Sequence, residues 1–209
     1  MPFIKKNNPT MDSYEHDCSR DLNELAVQLV DENPVIRRGA ALNLAEHQGA
    51  SEILIDRLKQ DRDISVRDAI LTTLISLGDT FAVIGLVECL RSEDAALRNE
   101  VVDAMKQLPE KVAPIMTSLL IDVNSDVRIF AVNILESLRH LQVETWLDRV
   151  IEDDPHINVC ATAVDLLGEV GTSTSRAALI HLRSRFPDEP YICFAVNLAL
   201  KRIGEDKGT

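Results

Sequence analysis

The chain has 209 residues, 45% of them apolar and only 4% aromatic, and sets 22 Lys and Arg against 34 Asp and Glu for a formal charge of −12. An average field of that sign repels phosphate backbones and anionic membrane surfaces, which argues against nucleic acid or lipid as the partner. Four cysteines, Cys18, Cys89, Cys160 and Cys193, lack paired metal spacing, and the start MPFIKKNNPTMDSYEHDCSR has a basic pair with no apolar run behind it. A reduced, cytoplasmic protein without signal or membrane segment is expected.

In chain order, residues 1–19 read as a flexible polar leader with Phe3, Ile4, Lys5 and Lys6 near its start. It is either simply disordered or an arm that folds onto a partner or onto the first repeat. Behind it, over 20–209, apolar-periodic stretches come in pairs. The first member of each pair covers 22–30, 53–59, 81–90, 112–120, 143–151 and 176–183. The second member is built on a recurring phrase, an aliphatic residue followed by Arg or Cys: Ile36-Arg37, Val66-Arg67, Leu97-Arg98, Val127-Arg128, Val159-Cys160 and Ile192-Cys193. These anchors stand 30, 31, 30, 32 and 33 residues apart. A fixed period in that range marks a stacked array, whose units cannot bury their apolar faces alone.

Counted from the Arg or Cys anchor, position +3 is Ala40, Ile70, Val101, Ala131, Ala163 and Val196, and +7 is Leu44, Leu74, Met105, Leu135, Leu167 and Leu200. With −1 and +10 these positions fall on one helical stripe, broken only by His47, and predict the buried face. Asn33, Asp63, Asp94 and Asn124 stand four residues before their anchors as N-caps, and Pro34 follows Asn33 at the favoured first helical position. Gly78, Gly171 and Gly204 at +11 predict left-handed helix ends. Twelve helices in six antiparallel hairpins follow, over about 20–48, 50–78, 80–109, 110–140, 142–171 and 173–204.

The segments DISVRDAILTTLISLG (63–78), NSDVRIFAVNILESL (124–138) and VCATAVDLLGEVG (159–171) resemble HEAT-like repeats of the short, phycobilisome-lyase type. The resemblance implies an all-α, right-handed α-solenoid of about six two-helix repeats. It also implies an internal ladder between neighbouring repeats, to which Arg37, Arg67, Arg98 and Arg128 would belong. Cys160 and Cys193 replace Arg in the last two repeats, so the ladder is expected to stop after four rungs and leave the C-terminal third to apolar packing. The extra segment RFPDEPY marks the last repeat as a terminal cap.

In such arrays the second helices line the concave face, with +1, +2, +5 and +9 pointing outward. Those positions supply Asp68, Asn99, Glu100, Asp103, Asn133 and Asp165, with Ile129, Phe130 and Phe194 as apolar neighbours. Two readings stay open: a groove for a basic, amphipathic segment of another protein, or a solvated face whose apolar residues fill space between repeats. No catalytic residue, metal site or cofactor is expected. Iron hydroxylases of HEAT-like build carry several His-Glu pairs, and none of His16, His47, His140, His156 and His181 is followed by Glu. No Lys or Arg lies within four positions of Cys160 to activate it, and no nucleophile or phosphate-loop motif occurs. Trp146, spaced helically with Val150, reads as packing. The expected function is a non-catalytic adaptor in a signalling or assembly complex. The alternative raised by the repeat subtype is a bilin lyase-like or chaperone subunit for a chromophore-carrying client.

Overall fold

The computed structural model describes residues 21–205, and every regular element among them is helical. In chain order these are α1 (Leu22–Gln28), α2 (Pro34–Asn43), α3 (Ala50–Gln60), α4 (Ile64–Leu77), α5 (Thr80–Cys89), α6 (Ala95–Lys106), α7 (Pro109–Val112), α8 (Met116–Leu119), α9 (Ser125–Leu135), α10 (Val143–Asp153), α11 (Ile157–Val170), α12 (Arg176–Arg185) and α13 (Pro190–Glu205). The leader expected over 1–19, with Cys18, lies outside the described residues.

The second helices begin where the polar residues before each anchor dictate. Asn33 accepts from the Val35 amide, Asp63 from Ser65 and Val66, Asp94 from Ala96 and Leu97, and Asn124 from Asp126. Each satisfies amides of the first turn that have no partner inside the helix, worth about 1 kcal/mol per cap. Gly78 closes α4 at φ 51°, as its position predicts. The other two glycine expectations are corrected. Gly171 ends α11 at φ −71°, and Gly204 lies inside α13.

The first helix of the fourth repeat also departs from expectation. Pro114 has no amide to donate and obstructs the preceding turn, so the helix breaks into α7, a 3-10 turn at Ala113–Ile115, and α8. Thirteen α-helices thus stand among the described residues where twelve are expected. The broken helix packs on α5 less closely than α3 does. An opening of about 460 Å³ lined by Val83, Ile84, Val87, Ile115 and Leu119 remains between them.

The second helices stack in one layer, α2 on α4, α6, α9, α11 and α13 in turn, while α3 packs on α5 and α10 on α12 in the first-helix layer. One continuous apolar core runs between the layers from Leu25 to Ile203. All +3 residues are buried, as are the +7 residues except the half-buried Leu200. Position +6 faces the preceding repeat: the Thr73 hydroxyl on α4 donates to the Ala41 carbonyl on α2 at 2.9 Å. Ala104, Ile134, Leu166 and Ala199 are buried at this position, whereas Asn43 in the first repeat is exposed. Position +4 is buried in repeats one to five, and the last repeat places the exposed Asn197 there. Among the described residues, the outer faces of the first and last repeats thus each carry an amide side chain where inner repeats carry an apolar or small one. An end surface of that kind favours water over another repeat.

A ladder of polar contacts links the repeats, but not as four equal rungs. Arg37 grips Asp61 of the next repeat, Nε to Oδ2 at 2.7 Å and Nη2 to Oδ1 at 3.0 Å, and Arg128 grips Asp154 likewise at 2.6 and 2.9 Å. The carboxylate acceptor stands six residues before its own anchor. In the third repeat that position is Ser92, so Arg67 turns to Asp94 at 3.0 Å and Glu100 at 2.8 Å. Arg98 has no carboxylate partner among the described residues, and Asp122, at the equivalent position, pairs with Arg91. Arg98 donates to the Ser92 carbonyl at 2.6 Å and lies over the Phe130 ring at 5.8 Å.

Neither Cys160 nor Cys193 extends the anchor ladder to a neighbouring repeat, but the C-terminal third is not left to apolar packing alone. Arg185, at the end of α12, reaches back across the repeat boundary to the Ile151 and Asp154 carbonyls at 2.6 and 2.7 Å. Cys160 is fully buried and points its thiol at the same Asp154 carbonyl at 3.3 Å, so the thiol keeps a weak version of the local bond that Arg makes in earlier repeats. Burial pushes that thiol up to about 11, which leaves it an inert packing group. Near the N-termini of the first helices runs a second set of ties. The Ser51 hydroxyl donates to Asp79 at 2.8 Å, and one oxygen of Glu144 collects the Thr172 amide and the Thr172, Thr174 and Ser175 hydroxyls at 2.6–2.8 Å.

Candidate partner-binding wall

The second-helix layer presents positions +1, +5 and +9 outward because +3 and +7 are committed to the core and +4 and +6 to the neighbouring repeats. Asp68, Asn99, Asp103 and Asp165 are exposed there, as expected. Position +2 differs: it shares a face with +6, one turn on, and so turns toward the preceding repeat. Ala69 and Ala195 are buried at that position, and Glu100, Phe130 and Thr162 are half-buried.

The candidate residues gather in two separate grooves. The first, between α4 and α6, has a volume of about 280 Å³. Asp68, Thr72, Glu100, Asp103 and Gln107 supply its polar lining, Leu71, Ile75 and Ala104 its apolar lining, and the exposed Ile64 borders it. Glu100 spans two environments. Its Oε1 accepts from Arg67 at 2.8 Å, while its Oε2 is shut off from solvent with no hydrogen-bond partner in the protein. Burial raises its pKa, with the Arg67 charge opposing that rise.

The second groove, between α9 and α11, has a volume of about 240 Å³ and contains Asn133, Glu136, Thr162, Asp165 and Glu169 above Val132 and Leu166. Asp165 accepts the Tyr191 hydroxyl of α13 at 2.7 Å, a bond that raises the tyrosine pKa. Glu136 pairs with Lys106 of α6 at 2.8 Å.

Between the grooves, Ile129 and Phe130 are half-buried against the core, and the Arg98 guanidinium lies over the Phe130 ring. Both residues thus pack between repeats and keep part of their surface open on the wall. Phe194 is different: it is 64% exposed, and with Tyr191 and Leu198 it forms an apolar stripe on α13 beyond the second groove. Asn99 lines neither groove. Trp146 is buried as expected, with the His140 ring stacked on it at 5.0 Å.

Sequence reasoning did not single out Asp61, Asp154, Glu144 or Arg185. Asp31, Asp61, Asp122 and Asp154 recur six residues before four of the anchors, a periodic signal that identifies the acidic side of the ladder. Arg185 has no such signal, because its rung runs in the opposite direction along the chain.

Comparison with known proteins matches a family model described as HEAT repeats to residues 20–106 and 51–136. These spans cover the four repeats that carry Arg and end before the two that carry Cys. No curated protein matches the sequence. Among solved structures, an archaeal HEAT-like repeats protein from Thermococcus onnurineus is 18% identical, covering 87% of this chain and 88% of that chain at a TM-score of 0.44. Human deoxyhypusine hydroxylase is 15% identical over 88% of this chain and 84% of its own, with a TM-score of 0.42. The CpcE and CpcF complex of phycocyanin lyase from a Nostoc species is 17% identical over 97% and 98%, with a TM-score of 0.37. None of the described helices is long and apolar enough to cross a membrane.

Proposed function

The chain belongs to the HEAT-repeat family, and from that premise we propose that it is a non-catalytic protein-interaction scaffold whose second-helix wall captures a basic, amphipathic helical segment of another protein. The observation that carries this reading is the groove between α4 and α6. There Asp68 and Asp103 flank Glu100, one of whose oxygens is buried without a donor. The three carboxylates attract a Lys or Arg head into the groove, where it meets the exposed Asp68 and Asp103 and the open side of Glu100. Charge complementarity selects a basic partner, and the net charge of −12 speeds its approach. Because the grooves lie between helices already fixed by the core and the ladder, little ordering entropy is lost on this side. Such a scaffold serves in an assembly or signalling complex.

The test is binding of a lysine-containing amphipathic helical peptide to the full chain, read by fluorescence anisotropy. Asp68→Lys with Asp103→Lys is expected to weaken binding about 10–100-fold, the range for losing close charge pairs at a groove, with helicity by circular dichroism unchanged because both side chains are exposed. Undiminished binding by the double variant overturns the assignment. Phe130→Asp is unsuitable as a companion variant because that ring packs against the core. The chromophore-lyase alternative calls for cations to hold tetrapyrrole propionates, and the acidic lining of both grooves disfavours it.

A further inference from the structure

The two grooves are the same construction repeated. In each, positions +4, +5 and +8 of one second helix face +2, +5, +6 and +9 of the next: Leu71, Thr72 and Ile75 face Glu100 to Gln107, and Val132, Asn133 and Glu136 face Thr162 to Glu169. The junction between them, α6 against α9, has the same positions, but Phe130 stands at +2 and packs against the core, while Lys106 at +8 crosses to Glu136. At the ends of the wall position +5 is apolar instead, with Leu42 in the first repeat and Leu198 in the last. Along the wall the order is therefore acidic groove, apolar plug, acidic groove.

We infer that the wall reads a spacing: its partner is one continuous helix carrying two cationic stations about three turns apart, with an apolar residue between them over Ile129 and Phe130. This rests on the reading of the wall as a capture surface. Helix-to-helix spacing of about 8–10 Å places the grooves, two repeats apart, roughly 16–20 Å from each other. At about 1.5 Å of rise per residue that separation spans roughly 11–13 residues of helix. An extended segment covers the same distance in about 5–6 residues. The helical occupant fits better because the wall consists of helices whose backbone is already internally bonded, so it has no strand edge to pair with and offers only side-chain grooves.

Two alanine-based helical peptides of equal length and equal charge test this on the full chain. One carries lysine pairs about eleven residues apart, on one face of the helix, and the other about six apart, close to the helical and extended spans. The wider spacing is expected to bind at least about tenfold more tightly, because its second station binds as an intramolecular event. Asp165→Asn with Glu169→Gln, both exposed in the second groove, is expected to abolish the difference while the narrow-spaced peptide binds as before. Equal binding of the two peptides overturns the spacing rule and leaves the capture surface standing, and so does tighter binding of the narrow one. Binding of neither peptide removes the capture surface itself.

Discussion

Asp61→Asn isolates the best-formed rung of the ladder. The Asp61 side chain is 1% exposed and accepts from Arg37 Nε and Nη2, Arg57 Nε and the Asp63 amide at 2.7–3.0 Å. Burial alone raises a carboxyl pKa, yet the hydrogen bonds from Arg37, the Asp63 amide and Arg57, with the Arg57 charge, hold this one at about 2 against 3.8 for the free group. A native value below the unfolded one stabilises the charged form. The contribution is therefore complete above about pH 5 and is lost as pH falls toward 2. Its size is about 2 kcal/mol, since each pKa unit is worth about 1.4 kcal/mol. The amide variant keeps the shape and one acceptor but leaves Arg37 and Arg57 without a counter-charge, so a loss of about 2–4 kcal/mol is expected at pH 7. Repeat arrays open piecewise, so the assay is hydrogen exchange of α2 and α3 amides together with urea unfolding, in wild type and variant, from pH 7 down to pH 2.5. The gap between the two proteins should narrow as the pH falls, because the unfolded wild-type carboxyl takes up a proton near 3.8 while the folded one keeps its charge down to about 2. A gap that stays constant over this range refutes the argument, as does a variant as stable as the parent at pH 7.

Arg185→Ala removes two charge-assisted bonds to the Ile151 and Asp154 carbonyls. It should destabilise the last two repeats by about 2–3 kcal/mol, seen as faster exchange in α10 to α13 with α2 to α6 unaffected; uniform loss across the chain contradicts a local rung. A side chain at Gly85 meets Ile55 atoms at 2.4–2.8 Å, whereas one at Gly39 meets nothing within 4 Å. In thermal melts Gly85→Ala should therefore lose about 1–3 kcal/mol through overpacking between α3 and α5, and Gly39→Ala should gain up to about 1 kcal/mol in helix propensity. Replacing both end amides, Asn43→Leu with Asn197→Val, should turn the capped faces adhesive and produce concentration-dependent association in sedimentation; an unchanged monomer–oligomer balance relative to the parent means other residues guard the ends.

The period of the array, the helix starts at Asn33, Asp63, Asp94 and Asn124, and the buried stripe at +3 and +7 followed from the sequence alone. Each is a short-range relation: a cap bonds within three residues, and a stripe is set by helical pitch. The direction of position +2 and the split of the acidic row into two grooves emerged only in the folded array, because each depends on what the neighbouring repeat places opposite; the break at Pro114 has a local cause that the sequence already contained. Phe130 shows the difference most plainly. By helical angle it belongs with Asp68 and Asp103, but an aromatic ring beside an apolar junction gains more by packing inward under Arg98 than by facing water. Arg185 shows it from the other side, since a guanidinium on a long stem can serve a carbonyl some thirty residues earlier in the chain and no local pattern in the sequence records that reach.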